Sequence, residues 1–152
     1  MNLPHALTTA PLAPPSHFEA IGGQAAVDRL VNAFYSQMDS RPDATVIRAM
    51  HEPDLGHTKA VLRLYLAEWL GGPKDYTAQR GHPRLRMRHA AFPIGVPERD
   101  AWLACMDAAM QQTGVPADLH QVLMAAFFKT ADWMRNTPNP PAIPATNPKE
   151  AP

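Results

Sequence analysis

Apolar residues recur along the chain at the spacing of an amphipathic helix, in four separate stretches. One face of such a helix repeats every three to four residues and packs against a core. No stretch alternates apolar and polar residues over a convincing length, the pattern typical of a half-buried strand. The stripes are Val27, Leu30, Val31, Phe34, Tyr35 and Met38; Val61, Leu62, Tyr65, Leu66, Trp69 and Leu70; Trp102, Cys105, Met106, Ala109 and Met110; and Leu119, Val122, Leu123, Ala126, Phe127 and Met134. We therefore predict an all-α fold.

Glycine and proline residues predict where these helices begin and end. Residues 71–73, Gly-Gly-Pro, would stop the second helix, because glycine adopts the left-handed conformation and proline cannot continue a helix. Pro97 fits the first turn of the third helix, and Pro116 precedes the fourth. Ser16 and Glu19 fit a capping box that opens a brief helix before the first long one.

Shorter elements are expected between the long helices. We predict one short helix within residues 43–50, ahead of the loop that holds His51, and another over residues 83–89. A loop holding Tyr76 would precede the latter. The architecture implied is two pairs of long helices with irregular connections.

Proline changes this picture at both ends of the chain. The 152 residues include 17 prolines, more than twice the usual share of about 5%. Ten of them fall before residue 17 or after residue 136. These ends contain too little apolar surface to offset the entropy of ordering them. We expect residues 1–16 and 137–152 to be disordered tails around one domain, residues 17–136.

Charge and cysteine content exclude several classes of protein. Lys plus Arg and Asp plus Glu each number 14, so the chain lacks the basic surface typical of nucleic-acid and membrane binders. The apolar runs are too short to span a bilayer, and the N-terminus lacks the features of a signal peptide, so we expect a cytoplasmic protein. The single cysteine excludes a disulfide framework, and Cys105, on an apolar stripe, is expected to be a buried, inert thiol.

One run of residues carries more information than helical spacing. Residues 76–94 read YTAQRGHPRLRMRHAAFPI, and ERDAWL follows at 98–103. WLGGP at 69–73, FY at 34–35 and IGG at 21–23 precede this run in the chain. The set closely resembles the truncated haemoglobins of the second group, in order and spacing, over about residues 17–136. The resemblance implies a two-over-two helical sandwich, a shortened globin fold, enclosing a b-type haem.

On the proximal side, the resemblance places the iron ligand at His89. From the end of a short helix its ring can reach the cavity, while its other nitrogen donates to a carbonyl one turn back, expected to be that of Leu85. A neutral imidazole is a common axial ligand of oxygen-binding haem. Arg86, on the same helix face, and Tyr76 are candidates for binding the haem propionates. Phe92 is expected to pack against the porphyrin edge.

On the opposite, distal side the resemblance supplies Trp102, Tyr35 and His51. The Trp102 indole is only a donor, and it would stabilise a diatomic ligand that carries partial negative charge. Core packing is the alternative role for both Trp102 and Tyr35. His51 would either hydrogen-bond the ligand or wedge the edge of the haem.

The second long helix would form one wall of the same cavity. Thr58 stands at the family's usual distal-histidine position, which removes an obvious sixth protein ligand. Leu62 and Leu66, further along the helix, would line the haem face.

These residues imply reversible binding of oxygen, and of NO and CO, at a five-coordinate iron. Several donors around the ligand predict slow release, which argues against bulk oxygen transport and toward redox chemistry. The resemblance allows nitric oxide dioxygenation or a peroxidase-like activity, each drawing electrons from an external reductase. A cofactor-free helical interaction or sensor domain with the globin shape is the alternative. The sequence leaves the oligomeric state open.

Overall fold

All regular structure in the described part of the chain is helical. The structure is a computed structural model, and it describes residues 13–138. Its helices are α1 (His17–Ile21), α2 (Gly23–Ser40), α3 (Thr45–Ala49), α4 (Gly56–Trp69), α5 (Asp75–Arg80), α6 (Leu85–His89), α7 (Val96–Gln112) and α8 (Ala117–Trp133), with a 3-10 turn at Pro42–Ala44. The all-α prediction is confirmed. The tails predicted at 1–16 and 137–152 lie mostly outside the described residues.

The four long helices form two pairs. α2 packs against α4, α7 packs against α8, and α2 and α7 join the pairs. The predicted stripes face this junction except at Val122, which is 50% exposed. The largest fully buried side chains at the junction are Leu30, Phe34, Met38, Leu66, Met106, Met110 and Leu123. Burial of each such side chain stabilises the fold by roughly 1.5–3 kcal/mol. Packing of the stripes therefore holds the two-over-two arrangement together.

The predicted helix boundaries at residues 16 and 71–73 are confirmed. Ser16 Oγ accepts a hydrogen bond from the Glu19 amide at 3.1 Å, which caps the start of α1. Gly71 follows α4 with a φ of 94°, in the left-handed region that favours glycine. A Cβ at Gly72 would lie 2.6 Å from a ring carbon of Phe18. Glycine here lets α1 pack directly against the end of α4.

Three connections differ from the sequence prediction. Tyr76 lies in α5, a short helix, and the prediction of a loop there is wrong. α6 begins at Leu85 and not at residue 83, because Arg84 has a left-handed φ of 46° that no α-helix accommodates. The helix expected within residues 43–50 is divided between the 3-10 turn and α3.

The one cysteine of the chain lies inside the helical core. Cys105 is fully buried in α7, as predicted, and burial raises the pKa of its thiol to about 11. A thiol with this pKa is protonated and unreactive at neutral pH.

None of the helices in residues 13–138 is long and apolar enough to cross a bilayer.

Candidate functional site

His89 is the last residue of α6, a five-residue helix with no buried residue. Its Nδ1 lies 2.6 Å from the carbonyl oxygen of Leu85, so the hydrogen bond expected from the sequence is present. A carbonyl only accepts, and Nδ1 must therefore carry the hydrogen. A ring with its single hydrogen on Nδ1 keeps a lone pair on Nε2, on its far side. The local fold of α6 thus prepares a nitrogen ligand.

His51, in the loop after α3, has the same local geometry. Its Nδ1 lies 2.7 Å from the carbonyl oxygen of Ile47, which again leaves the lone pair on Nε2. Burial is the main cause that lowers the pKa of His51; the Ile47 carbonyl opposes this, and the charges of Arg48 and His89 lower it further. His51 is therefore neutral at pH 7, and its Nε2 accepts a hydrogen bond. In the ligand-binding role expected from the sequence, His51 can therefore accept a hydrogen bond at Nε2 but cannot donate one from that atom.

Arg48 holds the loop that carries His51. Its guanidinium donates to the carbonyl oxygens of Glu52 and Pro53, each at 3.0 Å. It also donates to the carboxylate of Asp39 on α2, at 2.5 Å. Because charge-assisted bonds of this kind are short and strong, the loop is fixed against α2 on both sides of the histidine.

Tyr35 and Trp102 belong to one cluster of aromatic rings. The Phe34 ring lies 5.0 Å from that of Tyr35 and 5.2 Å from that of Trp102, centroid to centroid. Trp102 also meets Phe127 at 5.6 Å, and Tyr35 meets His51 edge-on at 5.9 Å. Tilted and edge-on pairs at these separations are favourable. The fold thus brings the three predicted distal residues into one cluster.

The polar atoms of Tyr35 and Trp102 have no hydrogen-bond partner in the described part of the chain. Among residues 13–138, neither the Tyr35 hydroxyl nor the Trp102 indole N–H makes a hydrogen bond. Burial raises the pKa of Tyr35, so that its hydroxyl stays protonated. Both donors are therefore available to a bound ligand.

The predicted lining residues are apolar or half-buried. Leu66 of α4 is fully buried, and Leu62, one turn earlier, is partly buried against the core. Thr58 is half-buried in the first turn of α4, and Leu85 is half-buried in α6. The Phe92 side chain is 38% exposed. Such side chains suit the faces and edge of a flat apolar group.

The candidate propionate partners lie in different surroundings. Tyr76 is buried in α5 and meets Tyr65 edge-on at 5.7 Å. Arg86 is exposed, and its guanidinium lies 4.6 Å from the ring centroid of Trp133. Arg80 lies 5.9 Å from the Tyr76 ring, and its buried Nε has no hydrogen-bond partner in the described part of the chain. Arg80 was not singled out from the sequence.

Arg48 and Asn136 were also not singled out from the sequence. Arg80 stands inside the run that carries the resemblance, so its position in that run was an available signal. Arg48 donates to carbonyls four and five residues further along the chain, whereas Asn136 donates to a carbonyl that only the folded chain brings near it. No spacing pattern marks either residue.

The donor set fits the haem that the resemblance implies. It combines an imidazole nitrogen with a free lone pair, two unpartnered hydrogen-bond donors and apolar walls. A flat apolar cofactor that carries its own metal and anionic side groups requires these features. The unpartnered Nε of Arg80 suits an anionic group.

Comparison with known proteins points the same way. The family model described as bacterial-like globin matches residues 16–136. The group 2 truncated hemoglobin YjbI of Bacillus subtilis (strain 168) is 37% identical over 119 residues, covering 78% of this chain and 87% of that protein. The group II 2-on-2 hemoglobin from Agrobacterium tumefaciens is 41% identical with a TM-score of 0.79, covering 84% and 98%. The group II truncated hemoglobin from Bacillus anthracis is 40% identical with a TM-score of 0.77, covering 83% and 100%.

Proposed function

Because the chain belongs to the bacterial-like globin family, as a group II truncated haemoglobin, we propose that it binds oxygen reversibly at a five-coordinate b-type haem and uses it in redox chemistry. Membership of this family makes the chain a haem globin that binds diatomic gases such as oxygen. The proposal extends this to particular residues, to NO and CO as further ligands, and to a role other than bulk transport.

His89 is the proposed proximal ligand. His89 would be the protein ligand of the haem iron, and the haem would supply the capacity to bind a diatomic gas. The Leu85 carbonyl holds the His89 ring in the tautomer that presents Nε2, and it raises the basicity of that nitrogen. A neighbouring carbonyl thus performs the orienting role that a histidine ligand requires.

Tyr35 and Trp102 are the proposed distal donors. A preorganised N–H or O–H from these residues would stabilise a diatomic ligand that carries partial negative charge. His51 presents only an acceptor at Nε2, so we assign it the wedge at the edge of the haem, and the single O–H of Tyr35 stays available to the ligand. Thr58 in the first turn of α4 leaves room for the ligand, since it provides no imidazole to occupy the sixth position.

The remaining residues would hold the macrocycle. Leu62 and Leu66 would pack on one face, and Phe92 would cover the edge. Arg86 and Tyr76 remain the propionate candidates. The buried, unpartnered Nε of Arg80 beside Tyr76 adds a third candidate, because it would gain its missing partner from a carboxylate.

The cellular role follows from slow release of the ligand. Two donors on one ligand slow its dissociation, which suits a reaction of bound oxygen better than its transport. We propose nitric oxide dioxygenation, or a peroxidase-like activity, in the cytoplasm. Electrons would come from an external reductase.

The unpartnered pair of donors, Tyr35 and Trp102, carries this proposal. The test is the absorption spectrum of the purified full-length chain, which should show the Soret band of bound haem. His89→Ala should lose haem or its five-coordinate ferrous spectrum, and added imidazole should restore the spectrum. His57→Ala, at an exposed histidine of α4, is the matched control. A colourless chain that takes up no added haemin would favour the cofactor-free interaction or sensor domain.

A further inference from the structure

Asn136 joins the segment after α8 to the segment after α6. Its backbone N–H donates to the carbonyl oxygen of Ile94 at 2.9 Å, and its side-chain Oδ1 accepts from the backbone N–H of Ile94 at 2.9 Å. Its Nδ2 donates to the carbonyl oxygens of Phe92, at 2.8 Å, and His89, at 3.2 Å. One residue therefore makes four hydrogen bonds to the backbone of residues 89–94.

Few other contacts can fix the position of α6. None of its residues is buried, so packing in the core does not hold it. The last carbonyls of a helix also lack partners within the helix. The His89 carbonyl accepts from the Phe92 amide at 3.0 Å, and Asn136 supplies a second donor. The backbone of the histidine itself is therefore bonded to the segment after α8.

Gly95 shows how closely the two segments approach. A Cβ at this position would lie 2.8 Å from Oγ1 of Thr137, the residue after Asn136. The Thr137 amide also donates to the carbonyl oxygen of Ile94, at 3.2 Å. Glycine at 95 is therefore a condition of the contact that Asn136 makes.

We propose that Asn136 is a positioning residue for His89, which sets where the end of α6 holds the imidazole relative to the long helices. This inference rests on the proposed function, in which His89 binds the haem iron. Only a side chain with one acceptor and two donors satisfies the three side-chain bonds. Aspartate has the same shape, yet it would place a carboxylate against the carbonyl oxygens of Phe92 and His89.

The test compares Asn136→Asp and Asn136→Ala with Asn32→Ala. Asn32 is the matched control, an exposed asparagine whose amide oxygen accepts from Arg63 at 2.9 Å. In the full-length haem-loaded chain, both Asn136 variants should shift or broaden the iron–histidine stretching band. They should also speed haem transfer to apomyoglobin about tenfold, since Asn136→Asp loses two side-chain hydrogen bonds and Asn136→Ala loses three. Asn32→Ala should change neither.

Amide hydrogen exchange provides a readout that does not depend on haem. Exchange at the Ile94 amide should accelerate about tenfold in Asn136→Ala, which loses its acceptor. Gly95→Ala should act in the same direction on the band and on haem loss, since it forces the two segments apart while Asn136 stays intact. Gly95→Ala also tests the positioning role if the Asn136 variants fail to fold.

Two results separate the possible failures. Faster exchange at Ile94 with an unchanged iron–histidine band and unchanged haem loss would show that Asn136 merely holds a loop, and would overturn the positioning role. A His89→Ala chain that keeps its five-coordinate ferrous spectrum would overturn the proposed ligand, whatever the Asn136 variants do.

Discussion

Replacing Trp102 with phenylalanine removes one hydrogen-bond donor and keeps an aromatic ring. In the folded chain the Trp102 ring packs against Phe34 at 5.2 Å and Phe127 at 5.6 Å, and a phenylalanine ring can keep both contacts. The indole N–H makes no hydrogen bond within residues 13–138. The substitution therefore deletes a donor that only a ligand can use.

The magnitude follows from this missing partner. A hydrogen bond to a charged group contributes about 1.5–3 kcal/mol, and here no protein acceptor competes for the donor. Loss of that free energy from the oxygenated state alone corresponds to oxygen dissociation about 10- to 150-fold faster. Packing losses act on the folded state with and without ligand, so they largely cancel from the dissociation rate.

The assay is stopped-flow mixing of the oxygenated protein with an oxygen scavenger. Trp69→Phe is the matched control, because Trp69 stacks on the same Phe127 ring at 4.6 Å. Both variants lose an indole from the same cluster, and only Trp102→Phe should release oxygen faster. Equal dissociation rates in the two variants would refute the donor role, and Trp102 would then be an ordinary core residue.

Two further predictions concern His51 and Arg86. Burial lowers the pKa of His51 below its unfolded value of about 6.5, so its stabilisation is present above that pH and lost as the pH falls through the folded pKa. The free energy of unfolding of the wild type should therefore fall more steeply from pH 7 to pH 5 than that of His51→Gln; parallel curves from denaturant unfolding would contradict this. Arg86→Ala should speed haem loss about two- to fivefold, since the guanidinium is exposed. Arg84→Ala is the control, and equal rates in the two variants would remove Arg86 from the propionate site.

Features that depend on residues within one or two helical turns could be predicted from the sequence. The apolar stripes, the Ser16 cap and the stop at residues 71–73 are all local. The bond from His89 to Leu85 belongs to this group too, because both residues lie on the same turn of α6. The prediction failed at Tyr76, where a polar segment without a long apolar stripe gave no sign of the helix α5.

Features that depend on residues far apart in the chain could not be predicted in this way. The ring of Tyr35 meets His51, and Asn136 bonds to His89, only because the four long helices set the intervening segments.

By itself, then, the sequence determined the helical class, the helix ends and, through one run of residues, the family. Periodicity and turn chemistry act between near neighbours, so the order of residues is enough to express them. The tertiary structure alone decided which donors remain without a protein partner within residues 13–138, and what holds α6. Those properties depend on the distance and angle between groups, which exist only once the helices have packed.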